Sequence, residues 1–280
     1  MIDRYKWWEK LGLYAAMLVF LTFLLAPFVE AFMVSLRPLD ALFRVPYRFI
    51  TDDMSFRAYV DMWTSVPGLP RYIFNSFFIS CAVTLLSLLC IIPAAYSLSR
   101  FDYRFRTGIL TGFLAINMIG AAVLIIPLYK LMLAIGLLNT YWAMIIPGAA
   151  FAVPTGIFLM RSYFLRIPKE LEEAAYVDGA SRLYTLWRVI LPVAAPGIVV
   201  VSITVFITAY AQQFLFALTF NSVDAYHPLP MGLYAFFGRE RIVWNELMAA
   251  SLVGIVPVLL LYLFLQKYIV AGLTAGSVKE

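Results

Sequence analysis

"EEAAYVDGASRLYTLWRVILP", residues 172–192, carries three acids (Glu172, Glu173 and Asp178) and two arginines, in a chain that is 63% hydrophobic and 13% charged. Uncharged stretches lie on either side of it, at 131–160 and 189–223, and four more occur at 11–29, 72–99, 107–129 and 247–266. A helix of roughly 20 apolar residues crosses a bilayer core, and each stretch is about that long or longer. A large soluble helical core would need charges every few residues on its solvated faces, and these stretches carry none. The chain reads as an all-α integral membrane protein, and the quoted segment is a polar connection that must sit in water.

Working outward, the pattern predicts six spans, near 10–35, 71–99, 107–131, 141–163, 194–220 and 245–267. The first runs past the length of a secretory leader and lacks a small-residue cleavage site, so it reads as a retained span. An even number of spans puts both termini on one side. Placing them in the cytoplasm makes 1–9, 100–106, 164–193 and 268–280 the inner segments. The short segment RFDYRFR (100–106) then brings three arginines inside, whereas 131–139 outside has none. That asymmetry follows the positive-inside bias, which also accounts for the net charge of +5. The longest outer loop, 36–70, mixes four arginines with four aspartates, and long loops obey the bias least. Trp7, Trp8 and Trp244 fall where interfacial anchors belong. No connection is long enough for a separate core, so 1–280 reads as a single transmembrane domain with 164–193 as an ordered loop within it.

Within that loop, Pro168 suits a first helical position and 169–177 holds good helix formers. Gly179 is placed to stop the helix and Ser181 to cap a second one. Leu183, Leu186, Trp187 and Ile190 recur at helical spacing as one apolar stripe. Glu170, Glu172, Glu173 and Asp178 offer charges to a partner, and Ala174 and Ala175 allow close approach. Four acids would be repelled by an anionic leaflet, so the loop reads as a protein-docking surface rather than a headgroup-bound helix.

The same stretch closely resembles the conserved cytoplasmic loop of binding-protein-dependent ABC importers. That motif reads Glu-Ala-Ala, three residues, Gly, nine residues, Ile-x-Leu-Pro. It falls here on Glu173, Ala174, Ala175, Gly179, Val189, Leu191 and Pro192, with valine in the isoleucine place. "IPLYKLMLAIGLLNTYWAMIIP", "PTGIFLMRSYFLRIPKELEEAAYVDGA" and "LQKYIVAGLTAGSVKE" extend the likeness to the carbohydrate branch of the family, and within it to the smaller membrane subunit of maltose-type importers. The resemblance implies a six-helix permease of the type I importer fold paired with a homologous membrane subunit. It also implies two cytoplasmic ATPase subunits that bind ATP and Mg, and an extracytoplasmic solute-binding protein that delivers a di- or oligosaccharide. Glu173 would meet the ATPase, with Glu172, Asp178 and Gly179 beside it. The tail "AGLTAGSVKE" would reach the interface between the ATPase subunits. Glycerol phosphates, polyols or amino sugars are the alternative solutes.

This chain has no Gly-x-x-x-x-Gly-Lys-Ser/Thr loop for ATP. It has one histidine, His227, and its two cysteines, Cys81 and Cys90, lie inside one span, so no metal site is indicated. A stand-alone channel or an ion-coupled carrier is a weaker reading, because a carrier would need a charge in the central portions of its spans or an unwound pair of repeated helices, and the sequence shows neither. The polar residues nearest mid-membrane are Tyr210, Gln212 and Gln213, in "ITAYAQQFLFALTF". Relatives carry Trp-Asn-Asp/Glu-Phe in this place, so the sequence departs from the pattern and lacks the acid. The three residues are candidates for lining the pathway, with the shared face of Tyr210 and Gln213 favoured; packing between helices is the competing reading. Asn75, Ser76 and Asn117 read as packing residues, and Glu30 as a structural residue at the outer end of the first span that either pairs with Arg37 or stays hydrated.

Overall fold

The computed structural model describes residues 6–46, 48–238 and 242–274. It is helical throughout; among the described residues the only β feature is an isolated bridge between Phe237 and Ile242. The chain divides into two compact units, 1–69 with 233–255 and 70–232 with 256–280.

In the first unit, α1 (Trp7–Leu36) is a 30-residue apolar helix, and α2 (Arg57–Ser65) packs on its C-terminal end. Ser35 Oγ and Tyr59 OH meet at 2.9 Å. Arg37, just past α1, is buried; it donates to the Phe49 carbonyl at 2.6 Å and lies 4.0 Å from Glu30. Of the two readings of Glu30, pairing with Arg37 is therefore the one present. Arg44 pairs with both Asp40 and Asp53, and its hydrogen bond holds the Asp40 carboxyl below the ordinary carboxylate range.

The second unit is built on α3 (Leu69–Arg100), α4 (Arg106–Met118), α5 (Ile125–Ala134), α6 (Trp142–Phe164), α9 (Ala195–Ala211) and α10 (Gln213–Phe220). The loop helices α7 (Glu170–Val177) and α8 (Arg182–Val193) lie between α6 and α9. Short α11 (Leu229–Tyr234) follows α10, and α12 (Trp244–Thr274) closes the chain. Where α6 meets its neighbours, glycines take the place of side chains. A Cβ on Gly156 would lie 2.2 Å from Ile91 of α3, and one on Gly197 would lie 2.5 Å from Tyr163 of α6. Without a hydrophobic drive between helices in lipid, such close backbone approach is a main source of association.

Two of the six predicted spans are not single helices. Among the described residues four helices are long and apolar enough to cross a membrane, Trp7–Leu36, Leu69–Arg100, Trp142–Phe164 and Trp244–Lys267, with a fifth if the bent pair Arg182–Val193 and Ala195–Ala211 counts as one span. The stretch 107–131 breaks into α4 and α5 around Gly120, a residue that loses more freedom than any other when held in a helix. The stretch 194–220 breaks at Gln212, with α9 before it and α10 after it. Irregular backbone of this kind persists in a membrane only where protein or a wet cavity covers it. The side chain of Asn117 and the tail 275–280 lie outside the described residues.

Candidate functional site

The loop 164–193 forms two helices at a sharp turn. Helix α7 starts at Glu170, two residues later than Pro168, with Lys169 as its N-cap. Three glutamates, Glu170, Glu172 and Glu173, occupy its first turn, where the helix dipole favours anions. Its end is a Schellman motif: the Ala180 N–H donates to the Ala175 carbonyl at 2.9 Å and the Gly179 N–H to Tyr176 at 3.0 Å. Gly179 takes φ +82°, a conformation that costs any side-chain-bearing residue strain. Ser181 then caps α8, accepting from the Tyr184 N–H at 3.3 Å.

Helix α8 contains a π segment, Leu186–Ile190, and meets α9 at an 80° bend between Val193 and Ala195, next to Pro192 and Pro196. The wider π turn divides the stripe expected from the sequence. Leu186 and Ile190 are buried, while Leu183 (67%) and Trp187 (55%) are exposed. Tyr184 and Val177 are exposed beside them. Glu173, Ala174, Asp178 and Gly179 are exposed and Ala175 is half-buried on the same pair of loop helices as this apolar group. Leu191 is buried and Pro192 exposed, at the hinge between the loop and α9.

Glu172 is the exception among the expected docking acids. It is buried, with Oε1 2.5 Å from Arg100 Nε at the end of α3, and Oε2 accepts from Tyr96 OH at 3.0 Å. Arg100 also donates to the Ile167 carbonyl at 2.9 Å. A carboxylate one residue away from an exposed one points about 100° around the helix, so Glu172 faces inward as Glu173 faces outward. Arg182 extends the tie, its guanidinium 5.0 Å above the Phe101 ring. Sequence reasoning counted Arg100 among the inner-side charges and missed its tie to Glu172 and Tyr96, because an arginine at the end of a span is indistinguishable from the ordinary charge bias.

The mid-membrane candidates separate differently from the favoured face. Gln213 is buried and takes Ser76 Oγ at 2.6 Å, while its amide donates to the Ser76 carbonyl at 3.0 Å and to Ser80 Oγ at 2.8 Å. The Leu229 N–H completes the set by donating to Ser76 Oγ at 2.8 Å. Tyr210 is also buried, and Gln212 is exposed. In this structure Tyr210 and Gln213 do not present an open face: Gln213 is a tie to α3, and Gln212 is the exposed amide. The helix break at Gln212 interrupts the register on which the shared face of Tyr210 and Gln213 rested. A cavity of about 20 Å³ beside these residues has room for roughly one water, far short of a sugar.

Asn75 fixes the segment after α10, donating to the Ala225 and His227 carbonyls at 2.9 and 2.8 Å and accepting from Tyr141 OH at 2.8 Å. Asp224 takes both Arg71 and Tyr72. These structural roles agree with the packing reading of Asn75 and Ser76. Among the described residues no three His, Cys, Asp or Glu side chains gather as metal ligands.

A helical membrane bundle whose exposed two-helix loop runs directly into a bent span is the framework of a transporter's membrane subunit. Residues 53–274 match the binding-protein-dependent transport system inner membrane component family, and the chain belongs to it. It is 33% identical to the inner membrane ABC transporter permease protein YcjP of Escherichia coli, over 97% of each chain. It is 38% identical to the trehalose/maltose transport system permease protein MalG of Thermococcus litoralis, over 75% of this chain and 76% of that one. Its fold is similar to a chain in the crystal structure of a bacterial ABC transporter involved in the import of the acidic polysaccharide alginate. The TM-score is 0.76 at 25% identity, over 95% of this chain and 99% of that chain. The family is a multi-pass membrane component, not itself an ATPase.

Proposed function

We propose that this chain is one of two homologous permease subunits of an ATP-driven importer and forms half of the membrane pathway for a di- or oligosaccharide. The observation that carries the reading is the rigid course of the loop. Its exposed acids and apolar side chains stand on α7 and α8, and α8 continues through a single bend into α9. A push on that surface is thus delivered to a membrane helix without a flexible linker. Glu173, Ala174, Ala175, Asp178 and Gly179 would meet an ATPase subunit that binds ATP and Mg, with Leu191 and Pro192 at the hinge. The relatives named for trehalose/maltose and alginate support a carbohydrate as cargo. A solute-binding protein would deliver it on the opposite side.

The same reading places six membrane crossings in the inner membrane, with α4–α5 and α9–α10 as broken spans and both termini and 164–193 in the cytoplasm. Reconstitution tests it. The chain, its partner permease, the ATPase and the solute-binding protein encoded alongside it are incorporated into proteoliposomes and offered labelled sugars. ATP-dependent sugar uptake that requires this chain is expected. Uptake of a glycerol phosphate but of no sugar would overturn the carbohydrate assignment, and ATP-independent flux would overturn the importer itself.

A further inference from the structure

A second charged feature follows Arg100 in the chain. The segment 101–107 and the last turns of α6 enclose an open cavity of about 510 Å³. Three arginines border it: Arg104, Arg106 and Arg161. Arg106 and Arg161 are held side by side, because both donate their Nε–H to the same carbonyl, that of Leu98, at 2.9 and 3.0 Å. The cluster's one carboxylate is Asp102, paired with Arg106 at 2.6 Å and 96% exposed. An ion pair so open to water offsets little of the field. Among the described residues no carboxylate pairs with Arg104 or Arg161. Two fixed guanidiniums, a third beside them and the hydroxyls of Tyr103 and Thr107 present many donors and a net positive charge to one space. That is the donor set of a phosphate site, since guanidinium edges match phosphate oxygens.

The surroundings identify the source of the phosphate. Tyr103 lines the cavity and is 37% exposed, and Phe105, two residues on and just before α4, is 71% exposed; both stand at the end of an apolar helix, where interfacial rings belong. Leu110, one turn into α4, adds an apolar wall to the cavity. A soluble anion would need no such wall, but an acyl chain would lie along it. We propose that this cavity binds the headgroup of an anionic phospholipid from the inner leaflet, with Arg104, Arg106 and Arg161 around the phosphate and Leu110 beside the first acyl carbons. Basic pockets between spans on the cytoplasmic side are suited to such headgroups. The sidedness rests on the topology proposed above; the chemistry of the cavity does not. Because Leu98 is in α3 and Arg161 in α6, a bound headgroup would tie two spans together at the root of the docking loop.

Native mass spectrometry of the assembled importer in mixed micelles tests the site, comparing retention of phosphatidylglycerol with that of phosphatidylcholine. Wild type should hold phosphatidylglycerol preferentially. Arg104→Gln, at an exposed position, should weaken that preference roughly fivefold, as expected for one basic residue near a lipid surface. Arg161→Lys should largely keep it, because the charge remains. Equal retention of the two lipids by wild type, or unchanged preference in Arg104→Gln, would overturn the proposal. So would stripping of phosphatidylglycerol by inorganic phosphate, which would assign the cavity to a soluble anion. Occlusion of Arg104→Cys from a water-soluble thiol reagent upon ATPase assembly, in phosphatidylcholine alone, would assign the face to a protein and also overturn it. Labelling of the same variant only from the outside would sink the topology while leaving the retention result to stand or fall by itself.

Discussion

The Nε atom of Arg100 lies 2.5 Å from Glu172 Oε1, with the two side chains only 4% and 8% exposed. The pair joins the last turn of α3 to the first turn of α7, so a docking helix that would otherwise ride on loops is fixed to a membrane span. Burying two charges is not an efficient way to gain stability, since an apolar pair of similar volume often does as well or better. What the ion pair adds is a defined register between span and loop.

Removing one partner leaves the other charge buried alone. Glu172→Gln and Arg100→Met should each destabilise the chain by about 3 kcal/mol, read as a lower thermal midpoint in detergent. The double variant Arg100→Met with Glu172→Leu should recover most of that stability but not the ratio of sugar transported to ATP hydrolysed. If the double variant restores both, the pair is only a packing element.

Gly179 tests the angle between the two loop helices. A Cβ there meets no atom within 4 Å, so the cost of a side chain is the conformation at φ +82° alone. Gly179→Ala should cost about 1 kcal/mol of loop stability and impair coupling, while Gly179→Asn, which tolerates the left-handed region, should be milder. Gly179→Asp adds charge to the docking surface and should abolish uptake while membrane insertion persists. Uptake and ATPase activity of the reconstituted complex measure all three, and wild-type coupling in Gly179→Asp would remove Gly179 from the docking face.

The fold class, the polar loop between apolar stretches, the stop at Gly179 and the cap at Ser181 were all legible in the sequence, because each depends on local chemistry or on long uncharged runs. The breaks near Gly120 and at Gln212 were not, since an uncharged run reads the same whether its helix is whole or broken. The inward turn of Glu172 also escaped, because its partner Arg100 is 72 residues away and looked like ordinary inner-side charge. Gln213 escaped for a related reason: only the fold shows that Ser76 and Ser80 stand opposite it.

Gly197 brings α9 against α6, where an added Cβ would fall 2.5 Å from Tyr163 Cγ. Tyr163 is half-buried, but the clash reaches its Cβ at 2.8 Å, at the root of the side chain, where rotating the ring gives no relief, so Gly197→Ala should force the helices apart and destabilise by about 2 kcal/mol. Pairing it with Tyr163→Ala should recover part of the loss. Thermal unfolding of the single and double variants measures this, and strict additivity of the two effects would argue against direct contact.

Gln212 and Gln213 offer the sharpest discrimination within the bundle. They are adjacent, yet one is exposed and the other 3% exposed. Gln213→Leu would leave the buried Ser76 hydroxyl without its acceptor and remove the amide donor from Ser80 Oγ, which keeps its own bond to the Ser76 carbonyl, at a cost of about 2 kcal/mol. Gln212→Leu should leave stability nearly unchanged. In a background lacking Cys81 and Cys90, a cysteine at 212 should react with a water-soluble thiol reagent at a rate that changes with nucleotide, and a cysteine at 213 should stay protected. If 213 labels and 212 does not, the buried tie to α3 opens in the working transporter and the pathway runs along the Tyr210 face instead. If both stay unlabelled in every nucleotide state, Gln212 is covered by the partner subunit and its exposure in the lone chain marks an interface rather than a pathway.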